Sequence, residues 1–183
     1  MIRSLSKIFR IGNWWNYIFP PILGVVYIVL FLKNNLFFLE WMQLMLFFIS
    51  FVFTASFGFF VNDTFDIQDD QNAGKVNFAT RFTKIQKKSI LAILFGFSLL
   101  PWFFIDDSFH VVIFYFLQLF LLMIYSIPPI RLKNNIVFGA ITDTFYSSVI
   151  PVIIGVLLFS SPELIHLYKI PFIILIIVFG LRG

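Results

Sequence analysis

A succession of six apolar stretches constrains this chain most, at roughly 14–32, 41–61, 89–105, 109–126, 137–159 and 170–183. About 20 apolar residues in a helix cross the hydrocarbon core of a bilayer, and these stretches are close to that length. A soluble domain would have to bury all six beneath polar surface. Of the 183 residues 60% are apolar and 12% charged, whereas a soluble chain carries about 25% charged residues. Mean hydropathy is +0.96. The expected fold class is therefore all-α: a polytopic transmembrane helix bundle, one domain over 1–183, with the lipid bilayer as its solvent.

Basic residues orient the bundle. Arg3, Lys7 and Arg10 precede the first stretch, Lys75, Arg81, Lys84, Lys87 and Lys88 follow the second, Arg131 and Lys133 follow the fourth, and Arg182 ends the sixth. These eleven share one side; only Lys33 and Lys169 fall on the other. The positive-inside rule puts the N-terminus and both basic loops in the cytoplasm, and we expect a bacterial inner membrane. Because loop bias explains the charge of +4, a nucleic-acid partner is not expected. The basic opening MIRSLSKIFR resembles a signal peptide, but the apolar run after it is too long and no small-residue cleavage site follows, so a retained first span is expected. The absence of cysteine excludes disulfides, thiolate metal ligands and a Cys nucleophile. The third and fourth spans, joined by a short turn, are expected to form a tight antiparallel pair. Pro20, Pro21, Pro151 and Pro171 are read as kinks or helix starts, and Gly24, Gly58, Gly139 and Gly155 as points of close helix approach.

Candidate chemistry begins where the second span meets the cytoplasm. In Val61-Asn-Asp-Thr-Phe-Asp-Ile-Gln-Asp-Asp70, Asn62, Asp66 and Asp70 recur every four residues. On a helix they form one polar stripe, with Asp63 beside it. Carboxylates so spaced repel one another, and more so near a membrane. Cations relieve that repulsion, and hard oxygen ligands suit Mg²⁺. A solvated acidic loop at a helix end is the competing reading. Asp69 falls off the stripe and reads as a surface charge. Lys75 and Arg81 follow closely, where they either neutralise phosphate oxygens bridged by the metal or only report topology.

The second basic loop reads Tyr125-Ser-Ile-Pro-Pro-Ile-Arg-Leu-Lys133. Two prolines stop the helix, and Arg131 and Lys133 are expected on one side of an extended segment. Tyr125 is either an interfacial anchor or a hydroxyl that orients a phosphate or an acceptor.

NDTFDIQDD resembles the N-D-x-x-D-x-x-x-D motif of the UbiA superfamily of intramembrane prenyltransferases, and YSIPPIRLK resembles the Y-S-x-P-P-x-R-x-K loop of members similar to chlorophyll synthase. The resemblance implies Mg²⁺-dependent transfer of a prenyl group from a prenyl diphosphate to an acceptor, in a helical bundle with a central cavity. By position, Asn62, Asp63, Asp66 and Asp70 would bind Mg²⁺ and diphosphate, while Lys75, Tyr125, Arg131 and Lys133 would hold the diphosphate. In place of the family's Asn-Arg-Pro-like segment the chain reads Lys75-Val-Asn-Phe-Ala-Thr-Arg81, so the diphosphate-binding arginine of the resemblance is either displaced to Arg81 or missing. The family's second Asp-rich motif follows the sixth span. This chain stops at Gly183, so it is expected to represent about six of eight or nine spans.

Asp143, within the fifth span, either serves the acceptor as ligand or base, or pairs with Arg131 or Lys133. Asn13 and Asn16 line the cavity mouth or cap a helix. His110 and His166 lie on the far side and are not expected to be catalytic. Two readings compete with the enzyme. A transporter would also use intramembrane carboxylates, though at midplane rather than at a helix end. A non-catalytic assembly protein would keep the scaffold without the reaction. The acceptor, prenyl length and oligomeric state are not legible from sequence.

Overall fold

The computed structural model describes Gly12, Trp15 and residues 19–33, 38–105 and 109–182. Arg3, Lys7, Arg10, Asn13 and Asn16 lie outside the described residues. Among those described the chain is all-helical, with no strand. Helix α1 runs over Phe19–Lys33, α2 over Phe38–Phe65, α3 over Ile67–Asn72, α4 over Lys84–Leu99 and α5 over Phe109–Ser126. Helix α6 covers Ile136–Phe159, α7 Pro162–Leu167 and α8 Lys169–Arg182. Among the described residues two helices are long and apolar enough to cross a membrane, Leu39–Phe65 and Ile136–Phe159. Three shorter ones are apolar: Phe19–Lys33, His110–Ser126 and Lys169–Val178.

Helix α2 is the backbone of the packing. Helix α4 lies along it, and aromatic pairs bind the two: Phe53 stacks on Phe97 at 5.0 Å and Phe57 meets Phe95 at 5.5 Å. The expected tight pairing of the third and fourth spans is therefore corrected. Helix α5 meets α4 chiefly through Tyr115, whose hydroxyl donates to the Ser98 carbonyl at 2.8 Å and whose ring lies 4.7 Å from Trp102. Ser50 on α2 joins the same cluster by donating to Ser98 O and accepting from Trp102 Nε1, both at 2.7 Å. Buried polar groups away from water need such partners. Helix α4 has 16 residues, roughly 24 Å, and opens with Lys84, Lys87 and Lys88. It starts and ends about one and a half turns earlier than the apolar run at 89–105, its end set by Pro101, which tightens the chain into the 3-10 turn Leu100–Phe103.

The glycines divide. A Cβ on Gly58 would stand 2.6 Å from Leu122 Cδ1, and one on Gly155 would stand 3.1 Å from Val26 Cγ2, so α2–α5 and α1–α6 do approach closely there. Gly24 has nothing within 4 Å of such a Cβ. Its expected packing role is corrected: it faces outward from α1.

Helix α6 is continuous but not regular. Ile136–Thr144 passes through one π turn, Phe145–Val149, into Ile150–Phe159. Pro151 explains the defect. It has no N–H for the carbonyl four residues earlier and its ring crowds that carbonyl, so the chain widens just before it. Gln118 on α5 then donates from Nε2 to the Tyr146 carbonyl at 3.0 Å.

Candidate functional site

The C-terminal ends of α2 and α5 and the start of α6 meet at one end of the bundle, and the acidic and basic motifs meet with them. Helix α2 stops at Phe65, and Asp66 leaves helical geometry at φ −97°, ψ 3° before α3 begins. The polar stripe survives this kink. The Asp66 N–H donates to Asn62 O at 2.9 Å, and the Asp70 N–H donates to Asp66 O at 2.8 Å. The stripe residues are thus consecutive rungs of one helical ladder. Gly74, at φ 67°, closes α3: its N–H donates to Gln71 O and the Lys75 N–H donates to Asp70 O. This pair of bonds is the Schellman arrangement, which favours glycine at the left-handed position.

On the other side, Pro128 and Pro129, joined by a cis peptide, end α5. Arg131 then adopts φ 42° and Leu132–Asn134 forms a 3-10 turn. The extended segment expected here is corrected. A left-handed residue followed by a tight turn, rather than strand alternation, brings Arg131 and Lys133 to the same side. Asn135 fixes the start of α6, its Oδ1 accepting from the N–H groups of Val137 and Phe138 at 3.0 and 3.1 Å. Gly139 lets the turn lie against α6: a Cβ there would stand 3.1 Å from Lys133 Cα.

Asp66 is the centre. Arg131 Nη2 donates to its Oδ1 at 2.6 Å and to Asp69 Oδ2 at 2.5 Å. The Lys133 ammonium bridges Asp66 Oδ1 and Asn62 Oδ1, the latter at 2.6 Å. Ser126 at the end of α5 also donates to Asn62 Oδ1, at 3.1 Å. The side chains of Asp66, Lys133 and Arg131 are 15%, 13% and 18% exposed, so water screens these pairs only partly. The hydrogen bond that Arg131 donates to Asp66 holds its guanidinium protonated above its ordinary range, against the opposing effect of burial, and Asp69 adds to it. Arg131 Nε is buried and has no hydrogen-bond partner.

The expected four-residue metal platform is not assembled as one group. Among the described residues no set of three or more His, Cys, Asp and Glu side chains is placed to hold a metal. Asn77 is the reason for Asp70. Its Nδ2 donates to Asp70 Oδ2 and to the Asp63 carbonyl, each at 2.8 Å, and its Oδ1 accepts from the Ala79 N–H. Asp70 is thereby drawn toward the loop, and Asp63 is buried. The expectation that bound cations alone make the acidic stripe tolerable is corrected as well, since Arg131 and Lys133 supply two from within the fold.

Lys75 and Arg81 are exposed and are not brought to Asp66; Arg81 instead lies over the Phe78 ring, 5.2 Å from its centroid. Asp143 pairs with neither Arg131 nor Lys133. Its Oδ1 accepts from the Tyr146 hydroxyl at 2.5 Å, and the Tyr146 ring meets Tyr125 edge-on at 5.4 Å. Sequence reasoning missed Asn77, Ser126 and Tyr146 and undervalued Asp69. Only Tyr146 carried a usable signal, standing three residues after Asp143 on the same helix face. No family model, curated protein or solved structure matches the chain.

Proposed function

We propose that this chain is a polytopic membrane protein of six spans with a cytoplasmic N-terminus, and that its Asp66 cluster binds a Mg²⁺–prenyl diphosphate for transfer of the prenyl group. One observation carries the reading: two sequence-distant motifs that resemble those of UbiA-type prenyltransferases meet at a single carboxylate. Two of the residues offer the hard oxygens such an ion needs. Asn62 and Asp66 already hold a cationic nitrogen between their oxygens, and hard oxygens of this kind suit Mg²⁺. The orphaned Arg131 Nε is a donor that a phosphate oxygen would satisfy.

In this reading Asn62 and Asp66 would hold the metal, with Asp63 beside them and Asp70 joining once freed from Asn77. When bound, Mg²⁺ neutralises charge on the diphosphate as it leaves. Lys133, released from Asp66, and Arg131 hold the phosphate oxygens as charge-assisted donors. Tyr125 orients the diphosphate. Asp143, whose carboxylate is oriented by Tyr146, accepts the proton lost by the acceptor. The apolar interior shields the allylic centre from water.

A different observation favours a second reading. Asp66, Asp69, Asp70 and Asp143 each have a partner inside the fold, which also suits a non-catalytic membrane assembly protein. Product analysis separates the two. The full chain in lipid discs is given radiolabelled prenyl diphosphates of several lengths and aromatic acceptors, with Mg²⁺ or with chelator. The transferase reading expects Mg²⁺-dependent prenylated product, abolished in Asp66→Ala and Asp70→Ala with membrane insertion retained. Turnover unchanged in both variants removes the metal assignment; no product in any condition leaves the assembly reading.

A further inference from the structure

We infer that the loop and helix start over residues 75–88 form a docking surface for anionic lipid headgroups. Five cations, Lys75, Arg81, Lys84, Lys87 and Lys88, fall within it, and among the described residues no carboxylate pairs with any of them. Arg131 and Lys133, by contrast, are spent on Asp66 and Asp69. Among the residues whose side chains are described, the unneutralised positive charge of this end of the bundle is therefore concentrated on 75–88.

The fold holds this segment outward. Its inner side is pinned by Asn77, by fully buried Ala79, and by Phe82, whose ring lies 6.0 Å from Phe60 of α2. Thr83 and Gln86 form a reciprocal capping box that fixes the start of α4. What remains outside is Lys75, Arg81, Lys84 and Lys88, all exposed, with Lys87 half-buried. Two large apolar side chains stand among them, Val76 at 90% and Ile85 at 78% exposure. Exposed apolar residues interleaved with lysines suit the boundary between headgroups and acyl chains, where the apolar groups insert and the cations meet phosphate. A second copy of the chain is disfavoured by like charge.

The inference rests on the membrane reading alone, not on the transferase. The test uses the full chain in discs of equal parts phosphatidylcholine and phosphatidylglycerol. Spin-labelled forms of each lipid report the fraction immobilised at the protein. Wild type is expected to select phosphatidylglycerol. Each cation removed in Lys84→Gln/Lys87→Gln/Lys88→Gln is expected to weaken that selection up to about five-fold, the equivalent of about 1 kcal/mol. Molar salt on the wild type, which leaves the sequence intact, should erase it as well. Equal immobilisation of both lipids, selection unchanged in the triple variant, or selection indifferent to salt each overturns the inference. So does selection that vanishes when chains are diluted to one per disc, which would assign the face to a second copy. A chain that fails to partition into discs refutes the membrane reading and this inference together, whereas absence of turnover touches neither.

Discussion

Replacing Lys133 with Met removes the ammonium that bridges Asn62 and Asp66 while keeping the length of the side chain. The cost follows from the geometry. Both partners are about one-seventh exposed, so the pair lies between an exposed ion pair worth under about 1 kcal/mol and a buried one whose breakage costs about 3–5 kcal/mol. Asp66 keeps Arg131 at 2.6 Å, and Asn62 keeps the Ser126 hydroxyl at 3.1 Å. Neither oxygen is stranded, which sets the expected loss near 2 kcal/mol. For a chain of this size that is roughly 4–8 °C in Tm. The informative part is recovery. If Asn62 and Asp66 form a cation site, emptying it of the lysine lets Mg²⁺ enter, and free Mg²⁺ at 100 times its Kd returns about 2.7 kcal/mol. Thermal unfolding followed by circular dichroism in detergent, with MgCl₂ against NaCl of equal ionic strength, reads both effects. A Lys133→Met chain that is destabilised but gains no more from Mg²⁺ than from NaCl would falsify the cation-site argument.

Other perturbations probe the frame of the site. Asn77→Ala leaves the Asp63 carbonyl, the Asp70 carboxylate and the Ala79 N–H without their partner, and we expect a loss of about 1–3 kcal/mol in chemical denaturation, with faster hydrogen exchange across residues 75–83. Gly58→Ala places a methyl 2.6 Å from buried Leu122 and should cost about 1–3 kcal/mol, part of it recovered when Leu122 is shortened to Val. Gly24→Ala meets nothing within 4 Å and should stabilise by up to about 1 kcal/mol through helix propensity; measurable destabilisation would mean that this face of α1 is covered. Tyr146→Phe leaves Asp143 without its donor, and in the transferase reading should lower kcat more than KM for the acceptor, whereas equal effects on both would assign Tyr146 to packing.

Hydropathy located the helices well because long apolar runs leave few alternatives, although among the described residues only two of the helices are long and apolar enough to cross a membrane. The second apolar run, read at 41–61, extends as a helix to Phe38–Phe65, partly because Glu40 near its start is paired with Lys33 at the end of α1 and so tolerated. What periodicity does not encode is which helix lies beside which. Few residues separate α4 from α5 in the sequence, yet aromatic stacking draws α4 onto α2. At the site, the four-residue spacing of Asn62, Asp66 and Asp70 was legible as a ladder, and the expectation that both motifs share one side came from the distribution of basic residues. Asn77 was not legible, because its partners lie seven and fourteen residues away and are reached only after Gly74 reverses the chain. Asp69 looked like a surface charge on a straight helix; the kink at Asp66 turns it toward Arg131.

The most direct test of the central claim is equilibrium binding of a fluorescent, non-hydrolysable prenyl diphosphate analogue to the full chain in lipid discs. We expect binding with Mg²⁺, loss with chelator, and weakening by tenfold or more, about 1.4 kcal/mol, in both Asp66→Asn and Arg131→Gln. Binding that ignores Mg²⁺ and survives both substitutions would contradict the account.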